Sequence, residues 1–132
     1  MSSTGIDHIG IAVNSLEQRV PFYRDTLGLT LLGYEEVAQQ KVRVAIFDAG
    51  GAHVELLEPT SEDSPVARFI AKRGEGLHHL AFGVEGIGAL LASMEEGGVR
   101  LIDRTPRDGA HGKRIAFVHP AATGGVLTEL CE

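Results

Sequence analysis

Apolar and polar positions along the chain describe one order of elements that occurs twice. Residues 6–13 alternate in the manner of a strand, and the segment after Ser15 carries apolar residues at roughly helical spacing until Gly28. Asn14 or Ser15 is suited to cap this helix, and Gly28 to end it in a left-handed conformation. Three extended runs follow, at residues 29–37, 41–48 and 52–58. The pattern predicts a β-α-β-β-β unit.

A short helix over residues 66–73, opened by Ser64 and Pro65, separates this unit from a second one. After Gly76 the same order returns: a strand at 77–84, a helix at 87–96, and strands near 99–103, 114–119 and 126–131. We therefore predict a single domain of two tandem modules, at about 5–60 and 76–132, with a linker helix at about 64–74.

The two copies also match in the polar residues that interrupt their strands. His8 aligns with His79 and Glu55 aligns with Glu129, at offsets of 71 and 74 residues. The His-to-Glu separations are 47 and 50, so one length difference of three residues explains both. Two matches in the same order indicate an internal duplication.

Small residues accompany each of these histidines on its face of the strand. Because strand side chains alternate, His8 shares its face with Gly10 and Ala12, and His79 shares its face with Ala81 and Gly83. The opposite faces are large and apolar and should pack on helices, and His78 falls on that side. This pattern is typical of a cavity wall. It favours His79 over His78 as a functional residue.

Two such modules placed edge to edge predict an α+β fold with a curved, mixed sheet of eight strands and helices on its convex side. The concave side would then gather two imidazoles and two carboxylates, those of His8, Glu55, His79 and Glu129. Such a set suits divalent Mn, Fe, Co, Ni or Zn and leaves positions for water or substrate. Alternatively, each Glu faces solvent and each His is an ordinary polar residue, but the paired arrangement favours a metal site.

Composition excludes several other classes of protein. The chain has 132 residues, 43% of them hydrophobic, which suits one ordinary core, and its net charge of −6 comes without a Lys/Arg run that could follow nucleic acid. The apolar stretches are shorter than the ~20 residues of a membrane helix, and the N-terminus is too short and polar for a signal peptide. We expect a cytoplasmic protein. The single Cys131 leaves histidine and carboxylate as the metal ligands.

The remaining histidines have ordinary interpretations. His53 shares the face of Glu55 and is expected at a cavity rim or on the surface, and His119 precedes Pro120 in a loop. His111 lies in a Gly-rich loop that could close over a ligand. Four basic residues are expected to be solvated surface residues and not substrate clamps: Arg43, Lys72, Lys113 and Arg114.

Four segments resemble the vicinal oxygen chelate superfamily, which contains glyoxalases, bleomycin resistance proteins and dioxygenases. They are residues 7–13, 22–28, 55–59 and 76–82. The segment 64–70, the doubled His78-His79 and the tail 109–130 resemble, more specifically, the methylmalonyl-CoA epimerases within that superfamily. The similarity covers nearly the whole chain.

The resemblance implies a homodimeric isomerase of propionate metabolism that interconverts (R)- and (S)-methylmalonyl-CoA, an acyl-CoA, with cobalt or another divalent ion. The ion would stabilise the enolate left when the α-proton departs, and protons must be exchanged on both faces. Glu129 matches the position of a ligand and acid/base. Val44 stands where many members carry a second base, and Glu55 stands where they carry a Gln ligand. Glu55 is therefore expected to serve as a ligand and as the other base.

Two alternatives remain open. Bacterial glyoxalase I, a lactoylglutathione lyase, also uses a His/Glu/His/Glu set, although His119-Pro120 and the segment 124–127 differ from its usual tail. The second alternative is a metal-free drug-binding protein of the same fold, although such proteins typically lack the four ligands. Ring-cleaving dioxygenases use two His and one Glu, and Glu55 would crowd a position that they keep open.

Overall fold

The computed structural model describes residues 3–132 and divides them into two compact units. Met1 and Ser2, part of the polar N-terminus, lie outside the described residues. The first unit is His8–His78, and the second is His79–Glu132 together with the residues up to Asp7. The strands are β1 (Gly5–Ala12), β2 (Thr30–Val37), β3 (Val42–Asp48), β4 (His53–Pro59), β5 (Gly76–Gly83), β6 (Arg107–Asp108), β7 (Arg114–Val118) and β8 (Thr128–Cys131); the helices are α1 (Leu16–Pro21), α2 (Pro65–Arg73) and α3 (Ile87–Glu96). Within residues 3–132 no helix is both long and apolar enough to span a membrane.

The first unit is a four-stranded sheet in the order β2-β3-β4-β1, with α1 packed on one face. β1 and β4 are parallel, whereas β2, β3 and β4 are antiparallel neighbours. Burial of apolar side chains between sheet and helix provides most of the driving force for such packing. The core of this face consists of Val13, Leu16, Val20, Ala45, Phe47 and Leu56.

The helix predicted after Ser15 changes its winding half way. The Ser15 side chain accepts the Gln18 N–H, as an N-cap should, and the α-helix ends at Pro21. A π-helical turn, Phe22–Thr26, continues to Leu27, whose N–H donates to the Phe22 carbonyl. Proline has no N–H for the regular ladder, which accounts for a change of winding at this point.

An irregularity in β2 reverses which side chains face the helix. Leu31 pairs with Phe47, but the next paired residue, Gly33, is opposite Ile46, so Leu32 is one residue too many for a regular ladder. Leu31 packs against the α1 core, as its partner Phe47 does. Beyond the bulge, alternation is shifted by one, and Gly33 turns to the opposite face with Ile46.

The second unit repeats this architecture in the order β5-β8-β7-β6, with α3 packed on one face. β5 and β8 are parallel, and β6, β7 and β8 are antiparallel neighbours. The helix bounds predicted from the sequence, 87–96, agree with α3. Its core with the sheet consists of Val84, Ile87, Leu91, Ala116, Val118 and Leu130.

The strand predicted at residues 99–103 is wrong. Only Leu101 forms an isolated bridge there, to Val118, and the outer strand is the two-residue β6 paired with Ile115 and Arg114. The Asp103 carboxylate accepts the Phe117 N–H, which in a regular ladder would donate to a backbone carbonyl. The side chain thus replaces the neighbouring backbone and interrupts the strand.

The linker helix is confirmed as α2. The Ser64 side chain, fully buried, accepts the N–H groups of Val66 and Ala67, and Pro65 occupies the first turn where its missing N–H costs nothing. The helix ends at Gly74, which has a φ of 80°.

Candidate metal centre

In the first unit, His8 and Glu55 lie side by side on the face away from α1. Gly10 of β1 pairs with Glu55 of the parallel strand β4, so His8 lies two residues before the residue opposite the glutamate. Both side chains are buried, with 6% and 4% of their surface exposed. The distance from His8 Nδ1 to Glu55 Oε2 is 3.4 Å.

The second unit repeats this arrangement with His79 and Glu129. Ala81 of β5 pairs with Glu129 of the parallel strand β8, so His79 again lies two residues before the residue opposite the glutamate. The exposed fractions are 7% and 3%, and His79 Nε2 lies 3.5 Å from Glu129 Oε1. The His79 ring also meets Phe117 edge to face, with centroids 5.7 Å apart. Each unit therefore builds a His/Glu pair at the same register, through Nδ1 of His8 in the first unit and Nε2 of His79 in the second.

Both pairs fit the geometry of metal ligands. A charge-assisted hydrogen bond would bring nitrogen and oxygen to about 2.8 Å, and the observed 3.4 and 3.5 Å are longer. Two donors that each lie about 2.1 Å from one ion, at a tetrahedral angle, are separated by about 3.4 Å. Buried carboxylates are costly unless they are paired or bind a cation. Each pair can thus supply one nitrogen and one oxygen to a divalent ion.

The prediction of an empty wall beside His79 is wrong at Gly83. A Cβ placed there would come within 2.6 Å of Thr4 Oγ1. Thr4 N–H and the Ser3 hydroxyl both donate to the Gly83 carbonyl, at 2.9 and 2.8 Å. The N-terminal segment of the second unit therefore fills the space, and the glycine allows close backbone approach instead of widening a cavity.

His78, next to the ligand candidate His79, faces the other way. Its ring lies 4.9 Å from that of Phe69 on α2, in an edge contact. Burial lowers the pKa of His78 to about 4, so the imidazole is neutral at neutral pH. His78 therefore lies on the helix side of the strand, as strand alternation predicts.

The other predicted histidines have distinct surroundings. His53 pairs with His8 in the β1–β4 register, and one of its ring nitrogens lies within 4.8 Å of a Glu55 carboxylate oxygen. His111 is exposed and has a left-handed φ of 61°. His119 Nδ1 accepts the Ala121 N–H at 2.9 Å, so His119 caps a short turn. Contact of His111 with a substrate stays a prediction.

An ion pair between Asp7 and Lys113 was missed by the sequence interpretation. Lys113 Nζ donates to Asp7 Oδ1 at 2.6 Å, within the second unit, and the two side chains are 40% and 20% exposed. Lys113 was expected to be solvated, but it ties the Gly-rich loop to the residue next to His8. The partners are 106 positions apart, and no spacing pattern marks such a contact.

The chain is similar to known proteins along most of its length. Residues 7–117 match the family described as Glyoxalase/Bleomycin resistance protein/Dioxygenase superfamily. A Bacillus subtilis protein called Uncharacterized protein YqjC is 51% identical over 96% of this chain and 91% of its own length. The mitochondrial methylmalonyl-CoA epimerase of Mus musculus is 35% identical over 95% of this chain and 71% of its own length.

A solved structure described as methylmalonyl-CoA epimerase in complex with methylmalonyl-CoA and NH4+ is 46% identical to this chain. It superposes with a TM-score of 0.92 over 98% of this chain and 94% of its own. Agreement at this level over nearly the full length confirms the predicted fold class of two tandem βαβββ modules.

Proposed function

The chain belongs to the Glyoxalase/Bleomycin resistance protein/Dioxygenase superfamily, and from this premise we propose that it interconverts (R)- and (S)-methylmalonyl-CoA. The chain is then an isomerase that removes the α-proton of the acyl-CoA from one face and returns a proton to the other. The observation that carries the proposal is the similarity to a relative bound to methylmalonyl-CoA, which is 46% identical over 98% of this chain and 94% of its own.

We propose that His8, Glu55, His79 and Glu129 are the ligands of one divalent ion, with cobalt as the first choice and Mn, Ni, Zn or Fe as alternatives. Support comes from the two buried His/Glu pairs, which have the same register and nearly the same N–O separation. When bound, the ion would act as a Lewis acid that stabilises negative charge on the substrate oxygens as the α-proton leaves.

The proton transfers fall to carboxylates of the chain. Glu129 is the proposed acid/base for one face of the α-carbon. As a carboxylate, Glu129 removes the α-proton from one isomer. As a carboxylic acid, it gives a proton to the enolate when that isomer is formed. Among the proposed ligands, Glu55 is the candidate for the opposite face, because it is the other carboxylate of the set.

The decisive measurement is exchange of the α-proton of methylmalonyl-CoA in D₂O, followed by mass spectrometry, with the protein loaded with Co²⁺. We expect deuterium incorporation together with loss of optical purity. Methylglyoxal with glutathione, run beside it, tests the lactoylglutathione lyase alternative. No exchange by metal-loaded protein would exclude the epimerase, and turnover of the glutathione adduct alone would favour the lyase.

Metal analysis of the purified protein separates catalysis from metal-free binding. We expect about one divalent ion per chain and activity that is lost to a chelator and regained with Co²⁺. A protein that holds no divalent ion and gains nothing from added Co²⁺ would instead favour a non-catalytic binding protein of the same fold.

The proposal extends to assembly and setting. We propose one domain over residues 1–132, a homodimer, and a cytoplasmic enzyme of propionate metabolism. Light scattering of the purified protein tests the dimer, since a mass of one chain at micromolar concentration would refute it.

A further inference from the structure

The bulge in β2 turns one more carboxylate, that of Glu35, toward the face that carries His8 and Glu55. Leu31 packs with the α1 core, and without a bulge strict alternation would place Glu35 on that same helix-covered face. The extra residue at Leu32 shifts the alternation by one, so Gly33 and Glu35 lie on the other side. Bulges are frequent where a strand must redirect a side chain near an active site.

The hydrogen-bonding register fixes the row in which Glu35 lies. Glu35 is opposite Val44, Val44 is opposite Leu57, and Leu57 is opposite Ala12. Partners in register point to the same side of a sheet, and Leu57 shares its side with Glu55, two residues earlier on β4. Glu35 therefore belongs to the row directly next to the row that contains Glu55.

The row of Glu35 also contains Val44 of the neighbouring strand β3. Val44 is 1% exposed and has only methyl groups to offer on the ligand face. Side chains directly opposite each other in an antiparallel pair have Cβ atoms about 5 Å apart. The Glu35 side chain, one strand further out, is long enough to extend over Val44 toward the proposed ligands.

The register keeps Glu35 within reach of a group bound at Glu55. Two strand spacings and two residues along the strand put their Cα atoms roughly 12 Å apart. The distance between the two carboxyl groups then lies between about 12 Å, when both side chains stand perpendicular to the sheet, and about 4 Å, when they point toward each other. A small acyl group bound at Glu55 fits within this range.

Glu35 lies outside the set of proposed metal ligands. A proton carrier there leaves Glu55 with a single role, that of a ligand throughout turnover. Glu35 is half-buried, so its carboxyl group can exchange a proton with solvent.

We propose that Glu35 is the catalytic acid/base for the substrate face opposite Glu129, a role that rests on the proposed epimerase function and reassigns its second proton carrier. In one direction the Cα–H bond breaks, its proton goes to a Glu35 oxygen, and its electron pair delocalises onto the thioester oxygen as an enolate. The Glu129 carboxylic acid then gives its proton to the other face of Cα. The reverse direction exchanges the two roles.

The test uses the metal-loaded enzyme in D₂O, with each isomer of methylmalonyl-CoA supplied separately. In Glu35→Gln, epimerisation should fall by about 100-fold or more, the usual contribution of a general acid/base. One isomer should still exchange its α-proton with retention of configuration, through Glu129, while the other should not exchange. Metal content and melting temperature should match the wild type.

Glu36→Gln is the matched control, because Glu36 is the adjacent exposed residue on the opposite face, in register with Arg43. It should epimerise like the wild type. Epimerisation by Glu35→Gln within about threefold of the wild type, or equal loss of exchange from both isomers, would overturn the role of Glu35. A wild-type enzyme that exchanges neither isomer would instead overturn the proposed epimerase function.

Discussion

The two units build the same kind of buried His/Glu pair but differ in the strand farthest from it. In the first unit the outer strand β2 has eight residues and a bulge, and its register puts Glu35 on the face of His8 and Glu55. In the second unit the corresponding strand is the two-residue β6, and residues 99–103 carry only one bridge. The parallel pairs β1–β4 and β5–β8 keep the same offset between His and Glu. The geometry of each His/Glu pair therefore depends on two adjacent strands, and the outer strand is free to diverge.

If the units contribute equally to the ion, removing a histidine from either should have the same large effect. We expect His8→Ala and His79→Ala each to reduce bound metal at micromolar Co²⁺ and to reduce α-proton exchange by about 1000-fold or more, because each removes one of four ligands. Metal analysis after gel filtration provides the measurement. Normal metal content in one variant and loss in the other would show that one unit alone holds the ion.

Glutamate substitutions should separate the two units. Glu129→Gln is expected to lose epimerisation by about 1000-fold, since the amide cannot carry the proton. Glu55→Gln keeps an oxygen that can bind the ion, so a loss of only about tenfold is expected if Glu35 is the second base. If Glu55→Gln lost as much epimerisation as Glu129→Gln, Glu55 and not Glu35 would be the second acid/base.

The helices should contribute similar stability in the two units. Leu16 on α1 and Leu91 on α3 are 2% and 0% exposed, and each packs in the core cluster of its own unit. Each Leu→Ala substitution should lower the free energy of unfolding by about 2–5 kcal/mol, from lost burial and a residual cavity. Urea denaturation measures both. A difference larger than the spread expected for such sites would show that one unit relaxes around the cavity.

The smallest expected effect comes from the carboxylates that bind the start of each helix. Glu75 accepts the Asn14 N–H at 2.9 Å and pairs with Arg19 at 2.6 Å, and these interactions hold the pKa of Glu75 below its usual value. Glu132 accepts the Gly86 and Ile87 N–H groups, which likewise lower the pKa of its carboxyl group.

Glu75→Gln should cost about 0.5–1 kcal/mol of stability near neutral pH, and Glu132→Gln should lower the melting temperature less. Because the folded pKa is lowered, the stabilisation is present above the unfolded value and disappears as the pH falls through the folded one. Melting curves of each variant against the wild type should therefore converge under acid conditions. A difference in melting temperature that persists at acid pH would show that the substitution acts through packing and not through the charge of the carboxylate.

Much of the fold, and the candidate residues of the site, follow from periodicity in the sequence. The helix 87–96, the linker helix after Ser64 and the parallel strands agree with the structure to within a few residues, since their caps and alternation are local signals. Residues 99–103 looked equally strand-like, but Asp103 takes the Phe117 N–H and interrupts the ladder. Side-chain competition of this kind depends on a partner 14 positions away.

The sequence by itself determined the internal duplication and the candidate set His8, Glu55, His79 and Glu129, because period-two alternation assigns every second side chain of a strand to the same face. Only the tertiary structure decided the 3.4 and 3.5 Å spacing within each pair, the ion pair of Lys113 and the filling of the space at Gly83. It also decided the face of Glu35. A bulge adds one unpaired residue and reverses every later side chain, and this shift is defined by the neighbouring strand's hydrogen bonds, which no local pattern contains.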